Sequence, residues 1–141
     1  GAYALIVMTP EGMIACRDPL GIRPLVMGRM GDAILFASET VAFDVVGAEV
    51  IREVEPGEML QVDFAGEVKS WRPFGQSPAR PCIFEHVYFS RPDSVFAGRS
   101  VYEARKAIGT ELAIEAPCEA DLVVPVPDSG VPAAIGYAHQ S

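Results

Sequence analysis

The chain has 141 residues, of which 50% are hydrophobic and 21% charged, and this composition excludes an intrinsically disordered protein. Its formal net charge of −8, from 11 basic and 19 acidic residues, argues against nonspecific nucleic-acid binding, which needs a basic surface. No apolar stretch approaches the ~20 residues that span a bilayer, so neither nucleic acid nor a membrane is an expected partner.

The first half of the chain is predicted to be rich in strands. Strands are expected at residues 2–8, 13–16, 25–28, 34–37, 49–54, 58–64 and 67–71, with the first one buried because it is continuously apolar. Ser38 is expected to cap a short helix that runs to Val46 and stops at Gly47. The sequence "RDPLGIRP" at residues 17–24 predicts a structural hairpin, whose flanking Arg17 and Arg23 are expected to pair with carboxylates such as Glu39.

The second half changes in pattern after a proline-rich connection, "RPFGQSPARP", at residues 72–81. Residues 83–89 alternate like a strand, and the loop that follows brings Arg91 and Asp93 close enough to pair. Ser100 and Glu103 form a capping box for a helix whose apolar face is Val101, Ala104, Ile108 and Leu112 and whose end lies near Pro117. Residues 121–126 are expected to form a fully buried strand, followed by a turn and a second helix. The fold class is therefore α+β changing to α/β with a parallel sheet.

The turn "PDSG" at residues 127–130 is the strongest candidate for a binding site. In parallel α/β sheets, ligands lie beyond the carboxyl ends of the strands, where a helix offers free N–H groups and a positive dipole end. Asp128 and Ser129 supply oxygen atoms that suit Mg²⁺ with a phosphorylated ligand, and Gly130 allows close backbone approach. The alternative is that Asp128 and Ser129 only cap the helix.

The cysteines and histidines provide little catalytic signal. Cys16, Cys82 and Cys118 are widely spaced and form no C-x-x-C pair, which favours a reducing compartment such as the cytoplasm. Cys82 is typical of a small buried side chain, and His86 of a structural histidine. No nucleophile–base set, P-loop or dinucleotide motif is present, so the residues alone define no complete active site.

Four stretches resemble the glutamine-dependent amidophosphoribosyltransferases: "RDPLGIRPL", "FASET" with "PGE" downstream, "CIFEHVYFSRPDS" and "VVPVPDSGVPAAIGYA". The resemblance implies the second half of an N-terminal-nucleophile (αββα) glutaminase domain at residues 1–80. It implies an inter-domain segment and the start of a type I phosphoribosyltransferase α/β domain at residues 81–141. The implied reaction is the first committed step of purine synthesis, which converts glutamine, phosphoribosyl pyrophosphate and water into 5-phosphoribosylamine, glutamate and pyrophosphate.

The resemblance also assigns site residues. Ser129 matches a residue of the Mg²⁺ site, and Asp128 and Gly130 flank it in the substrate-binding turn. Cys82 matches one of four thiolates that hold a four-iron, four-sulfur cluster in part of the family. Tyr88, with the Arg91 and Asp93 pair, matches the segment that joins the two domains.

No catalytic residue is assigned, because the family's nucleophilic cysteine is expected to precede Gly1 and its main phosphoribosyl-pyrophosphate loop to follow Ser141. We therefore expect an inactive internal piece of a longer enzyme. Purine nucleotides are the expected inhibitors, and a homo-oligomer is the expected assembly. The alternatives are an asparagine-synthetase-like amidotransferase, which shares "RDPLGIRPL", and a non-catalytic structural or binding module.

Overall fold

Antiparallel strands joined by short turns make up most of residues 1–71 in the computed structural model, which describes residues 1–75 and 77–141. The elements in this part are β1 (Ala4–Thr9), β2 (Gly12–Arg17), β3 (Val26–Met30), β4 (Ala33–Ala37), α1 (Val41–Val46), β5 (Glu49–Glu53), β6 (Met59–Asp63) and β7 (Val68–Trp71). All seven predicted strands are confirmed, with small shifts at their ends. Gln76, in the middle of the predicted connection, lies outside the described residues.

The strands form two sheets within a compact unit, Gly1–Cys82. One sheet has the order β1-β2-β6-β7 and the other β4-β3-β5, and every pairing in both is antiparallel. Ala15 of β2 lies opposite Leu60 of β6, and both are fully buried. With Leu25, Met27 and Val54 they form the hydrophobic core. Removing these side chains from water is the main stabilising term for the unit.

The expectation that the first strand is buried is wrong. β1 pairs with β2 on one side only and lies at the edge of its sheet. Its apolar side chains Leu5, Ile6, Val7 and Met8 are exposed. Continuous apolar character predicts burial on both faces, but no described element of this unit covers the outer positions of β1.

Helix α1 is shorter at its start than the sequence predicts. Thr40, rather than Ser38, occupies the N-cap position, and no side chain caps the helix. The predicted stop is confirmed, because Gly47 adopts a left-handed conformation with φ 70° and its N–H donates to the carbonyl of Asp44. Glycine adopts this conformation without the steric cost that a Cβ imposes.

The hairpin at residues 17–24 is held by buried polar side chains. Arg17 pairs with a carboxylate as predicted, and its partner is Glu53 at 3.3 Å. The same guanidinium donates to the carbonyls of Gly21, Arg23 and Val54 at 2.7–3.0 Å. Arg17 is therefore a structural residue that satisfies backbone carbonyls where the chain forms no ladder.

Helices dominate the second compact unit, Ile83–Ser141. It contains a π-helix (Glu85–Phe89), the short strands β8 (Val95–Phe96) and β9 (Arg99–Ser100), α2 (Val101–Glu115) and α3 (Val131–Gln140). The N-cap half of the predicted capping box of α2 is confirmed, since Ser100 Oγ accepts from the Glu103 N–H at 3.3 Å. The predicted end of α2 near Pro117 is also confirmed. No described helix of either unit has both the length and the apolar character that a membrane crossing requires.

Two predicted strands of this unit are wrong. Residues 83–89 are helical, and the N–H of Ser90 donates to the carbonyl of Glu85 in the i+5 pattern of a π-helix. Residues 121–126 form no strand, and the strands described in this unit, β8 and β9, pair with each other. Leu122, Val124 and Val126 are consequently 76%, 74% and 82% exposed. The described residues therefore do not form the expected parallel sheet.

The buried face of α2 also differs from the prediction. The buried residues are Val101, Arg105, Gly109 and Ala113, whereas Ile108 and Leu112 of the predicted face are exposed. Helix α3 packs against α2 at Gly109. The backbones of the two helices can approach more closely at a glycine than over a row of leucines.

Candidate functional site

The turn at residues 127–130 leads directly into helix α3. The N–H of Gly130 donates to the carbonyl of Val126 at 3.2 Å, and the N–H of Val131 donates to that of Asp128 at 3.3 Å. A Cβ on Gly130 would lie only 2.6 Å from the Val126 oxygen, although φ at this glycine is an ordinary −76°. Glycine is therefore required here for close approach of two backbone segments rather than for an unusual dihedral angle.

The side chains of Asp128 and Ser129 do not cap α3. Gly130 occupies the N-cap position, and no side chain makes a capping hydrogen bond. The capping alternative is thus wrong for this structure. Within residues 1–75 and 77–141, no hydrogen bond or ion pair engages the Asp128 carboxylate or the Ser129 hydroxyl. Asp128 is exposed and Ser129 half-buried, so both oxygen groups are accessible to a ligand.

The electrostatics of the turn favour a cation together with an anion. The N-terminus of α3 carries the positive end of the helix dipole, which attracts a phosphate group. The neighbouring Asp128 carboxylate repels the same group unless a divalent cation lies between them. Carboxylate and hydroxyl oxygens are hard ligands that suit Mg²⁺, which completes its octahedron with water and phosphate oxygens. The turn therefore fits a metal-bound phosphate better than a bare one.

Cys82 lies at the end of the first unit, where its N–H donates to the carbonyl of Ile22 at 3.1 Å. Its thiol is free and half-buried, as is that of Cys16, while Cys118 is free and exposed. No three His, Cys, Asp or Glu side chains among the described residues lie together as a metal site. Burial raises the pKa of the Cys16 thiol, which disfavours the thiolate that a nucleophile requires.

The predicted pairing of Arg91 with Asp93 is confirmed. The guanidinium contacts both carboxylate oxygens, at 3.1 and 2.8 Å, and these hydrogen bonds hold the pKa of Asp93 below its ordinary value. Tyr88 is exposed and its ring lies edge-on to that of Phe89. None of the hydrogen bonds found in the described part of the chain joins these residues to the turn at residues 127–130.

A buried polar cluster around the π-helix was missed from the sequence. Arg105 of α2 is buried and donates to the backbone carbonyls of His86 and Ser90. The Ser90 hydroxyl donates to the buried Glu85 carboxylate at 3.0 Å. The one sequence feature that could have revealed this cluster is Arg105, a charged residue on the same helix face as Gly109 and Ala113.

His86, which was expected to be a satisfied structural histidine, lies in the π-helix beside this cluster. Its ring packs against that of Phe96 in a tilted arrangement, with 5.2 Å between the ring centroids, and its buried Nδ1 finds no hydrogen-bond partner among the described residues. Burial first, and then the charges of Arg99 and Arg105, lower the pKa of His86, so the ring is neutral at pH 7.

Comparison with known proteins first indicates a class of enzyme domain. The family model described as a glutamine amidotransferase domain matches residues 1–45. The matched residues lie within the first unit.

Relatives that match over the whole chain give the particular family. The amidophosphoribosyltransferases of Rhizobium etli and Mycobacterium tuberculosis are 51% and 52% identical across the entire chain, and a chloroplastic enzyme of Arabidopsis thaliana is 53% identical. A solved structure described as the allosteric regulatory enzyme of purine biosynthesis matches with TM-score 0.93 at 54% identity. The glutamine phosphoribosylpyrophosphate amidotransferase from B. subtilis, complexed with ADP and GMP, matches 99% of the chain with TM-score 0.92 at 55% identity.

The chain is similar to amidophosphoribosyltransferases over its whole length. It spans 29%, 26% and 25% of the length of the three curated relatives and 30% of each solved chain.

Proposed function

We propose that this chain contributes to an amidophosphoribosyltransferase, which makes 5-phosphoribosylamine from glutamine, phosphoribosyl pyrophosphate and water and releases glutamate and pyrophosphate. The observation that carries the proposal is identity of about one half with curated amidophosphoribosyltransferases along the entire chain. Matches that span the whole chain favour this function over an asparagine-synthetase-like enzyme and over a non-catalytic module.

The turn at residues 127–130 is the proposed contribution to phosphoribosyl transfer. Ser129 offers its hydroxyl to Mg²⁺, Asp128 adds a carboxylate oxygen, and Gly130 brings the backbone close to the pyrophosphate group. The metal ion would neutralise charge on the departing pyrophosphate. The residues themselves bind and orient that group, and orientation is a large part of the barrier reduction in such a step. The two unengaged oxygen groups beside the start of α3 support this role.

We assign no glutamine-cleaving nucleophile within the chain. The raised pKa of Cys16 and the absence of a nucleophile–base motif in the sequence support this assignment. The chain by itself is therefore expected to release no ammonia from glutamine. Detection of ammonia in a coupled glutamate dehydrogenase assay of the purified 141-residue chain would contradict this.

The residues present do not fit an iron–sulfur cluster by themselves. Cys82 supplies one thiolate where four are needed, and no described group of metal-ligating side chains surrounds it. The proposal therefore involves Mg²⁺ alone, and the role of Cys82 as one cluster ligand is tested by iron analysis of the protein expressed from its full reading frame. Iron that is lost in Cys82→Ser would support that role.

Three further features belong to the same proposal. Purine nucleotides are proposed as inhibitors, supported by the ADP and GMP in the B. subtilis relative. A homo-oligomer is the proposed assembly. The cytoplasm is the proposed location, because the three cysteines are free and a reducing compartment keeps them so.

The test uses the protein expressed from the full reading frame that encodes this chain. We expect Ser129→Ala to raise KM for phosphoribosyl pyrophosphate about tenfold, equivalent to about 1.4 kcal/mol, and to leave glutamine cleavage less affected. Ser129→Thr is the matched control, because it keeps the hydroxyl. Equal KM values for Ser129→Ala and the unsubstituted protein would show that Ser129 does not contribute to phosphoribosyl pyrophosphate binding. A full-length protein that forms no pyrophosphate would reject the function itself.

A further inference from the structure

Helices α2 and α3 touch through their backbones at two glycines. A Cβ on Gly109 of α2 would lie 1.8 Å from the carbonyl oxygen of Ala133 in α3. A Cβ on Gly136 of α3 would lie 2.0 Å from the carbonyl oxygen of Lys106 in α2. Backbone atoms cannot rotate away as a side chain does, so a methyl group at either position must move one helix relative to the other.

The two contacts lie at different distances from the candidate site. Ala133 is in the first turn of α3, and the N–H of the next residue, Ala134, donates to the carbonyl of Gly130. Gly109 therefore supports the part of α3 that carries the turn at residues 127–130. Gly136 makes its contact about one helical turn closer to the C-terminus of α3, and so further from the candidate site at residues 127–130.

Neither glycine is explained by backbone conformation. The positive-φ glycines of the chain do not include Gly109 or Gly136. Glycine inside a helix is unfavourable by about 1 kcal/mol relative to alanine, so intrinsic helix preference favours alanine at both positions. Only the close approach of the two helices accounts for them.

We propose that Gly109 is a positioning residue for the site at residues 127–130, because the contact of Gly109 with Ala133 fixes where the first turn of α3 lies. A methyl group at Gly109 must separate the two backbones by about 1 Å, and this displacement is passed to Asp128 and Ser129 through the rigid first turn. The binding part of this inference rests on the proposed function, whereas the structural part does not.

The experiment compares Gly109→Ala with Gly136→Ala, which introduces a similar clash in the same helix pair. Two-dimensional NMR of the 141-residue chain reports the amides of Ser129 and Gly130, and thermal unfolding reports stability. We expect both variants to lower Tm, but only Gly109→Ala to shift these two amide resonances strongly. In the protein from the full reading frame, Gly109→Ala should raise Kd for Mg²⁺–phosphoribosyl pyrophosphate about tenfold or more, with KM for glutamine unchanged.

Each outcome is decisive. Equal amide shifts in the two variants, or none in Gly109→Ala, would overturn the positioning role. Amide shifts confined to Gly109→Ala, in a protein that binds no Mg²⁺–phosphoribosyl pyrophosphate, would keep the positioning role and reject the proposed function.

A second pair of variants covers the case in which Gly109→Ala does not fold. Ala133→Gly loosens the first turn of α3 without adding a clash, and Ala138→Gly makes the same change at an exposed position near the end of α3. Faster hydrogen exchange at Ser129 and Gly130 in Ala133→Gly alone supports the inference, and equal exchange in both contradicts it.

Discussion

At the scale of single residues, Asp18 shows how one carboxylate organises a turn. It is fully buried and accepts hydrogen bonds from the N–H groups of Leu20, Ile22 and Arg23 at 3.0, 2.9 and 3.3 Å. Asp18→Ala leaves these donors unsatisfied in the interior. We expect it to lower the free energy of unfolding by about 2–4 kcal/mol, measured by urea denaturation.

Two comparisons make this prediction specific to the buried carboxylate. Asp18→Asn keeps one acceptor oxygen and should lose less stability than Asp18→Ala. Asp32→Ala changes an exposed aspartate in another turn and should stay within about 0.5 kcal/mol of the unsubstituted chain. If Asp18→Ala falls within the same narrow range, the backbone of the turn does not depend on this side chain.

Glu58 gives the first unit a pH-dependent contribution to stability. Burial opposes its ionisation, but hydrogen bonds from Arg52 and Ser70, at 2.7 Å each, outweigh burial and hold the pKa of Glu58 below its usual value. Because the folded pKa is the lower one, this contribution is present above about pH 4.3 and is lost as the pH falls through the folded pKa. We therefore expect the free energy of unfolding to decrease below that pH.

Urea denaturation at a series of pH values tests this role of Glu58. Glu58→Gln removes the titrating group, so its free energy of unfolding should fall less steeply with decreasing pH than that of the unsubstituted chain. Ser70→Ala removes one of the stabilising hydrogen bonds and should give an intermediate slope. Identical slopes in all three proteins would show that Glu58 contributes no pH dependence.

At the scale of elements, the π-helix Glu85–Phe89 depends on a side chain from another helix. Arg105 satisfies two carbonyls at its end, those of His86 and Ser90. Arg105→Met keeps an apolar stem but leaves these two carbonyls without the guanidinium. We expect a loss of about 3 kcal/mol in the free energy of unfolding and faster hydrogen exchange at the Ser90 amide.

The neighbouring Lys106 on α2 provides the control for this prediction. Lys106→Ala also removes a positive charge from α2, but the Lys106 side chain makes no hydrogen bond to any of the described residues. It should therefore leave exchange at Ser90 unchanged. Equal acceleration in Arg105→Met and Lys106→Ala would mean that net charge, and not the hydrogen bonds to the π-helix, sets its stability.

The same element explains where sequence-based prediction of the fold succeeds and where it does not. The strands of the first unit follow from local alternation and turn residues, which the chain carries within a few positions. Residues 83–89 also carry strand-forming side chains, but they form a helix in which the His86 carbonyl accepts from Arg105, and no local sequence pattern contains this contact. In α2 the apolar period selects Ile108 and Leu112, whereas the close approach of α3 selects Gly109.

At the scale of the whole molecule, the candidate site was predictable as a motif but not as a geometry. The turn with Asp128, Ser129 and Gly130 before a helix is visible in the sequence. That both oxygen groups remain unengaged, and that Gly130 touches the Val126 carbonyl, follows only from coordinates. The expected strand at residues 121–126 failed because strand formation depends on a partner strand, which an apolar run cannot specify by itself.

Exposed apolar surface leads to a prediction about association of the 141-residue chain. Edge strand β1 has an unpaired side, and residues 121–126 expose apolar side chains, so both can associate with another copy. We expect the mass from light scattering to rise with concentration between about 10 and 500 µM. Ile6→Lys and Val124→Lys should each reduce it, whereas Gln140→Lys, with the same charge change at an exposed polar position, should not. A constant monomer mass would contradict this, and an equal effect of Gln140→Lys would identify charge as the cause.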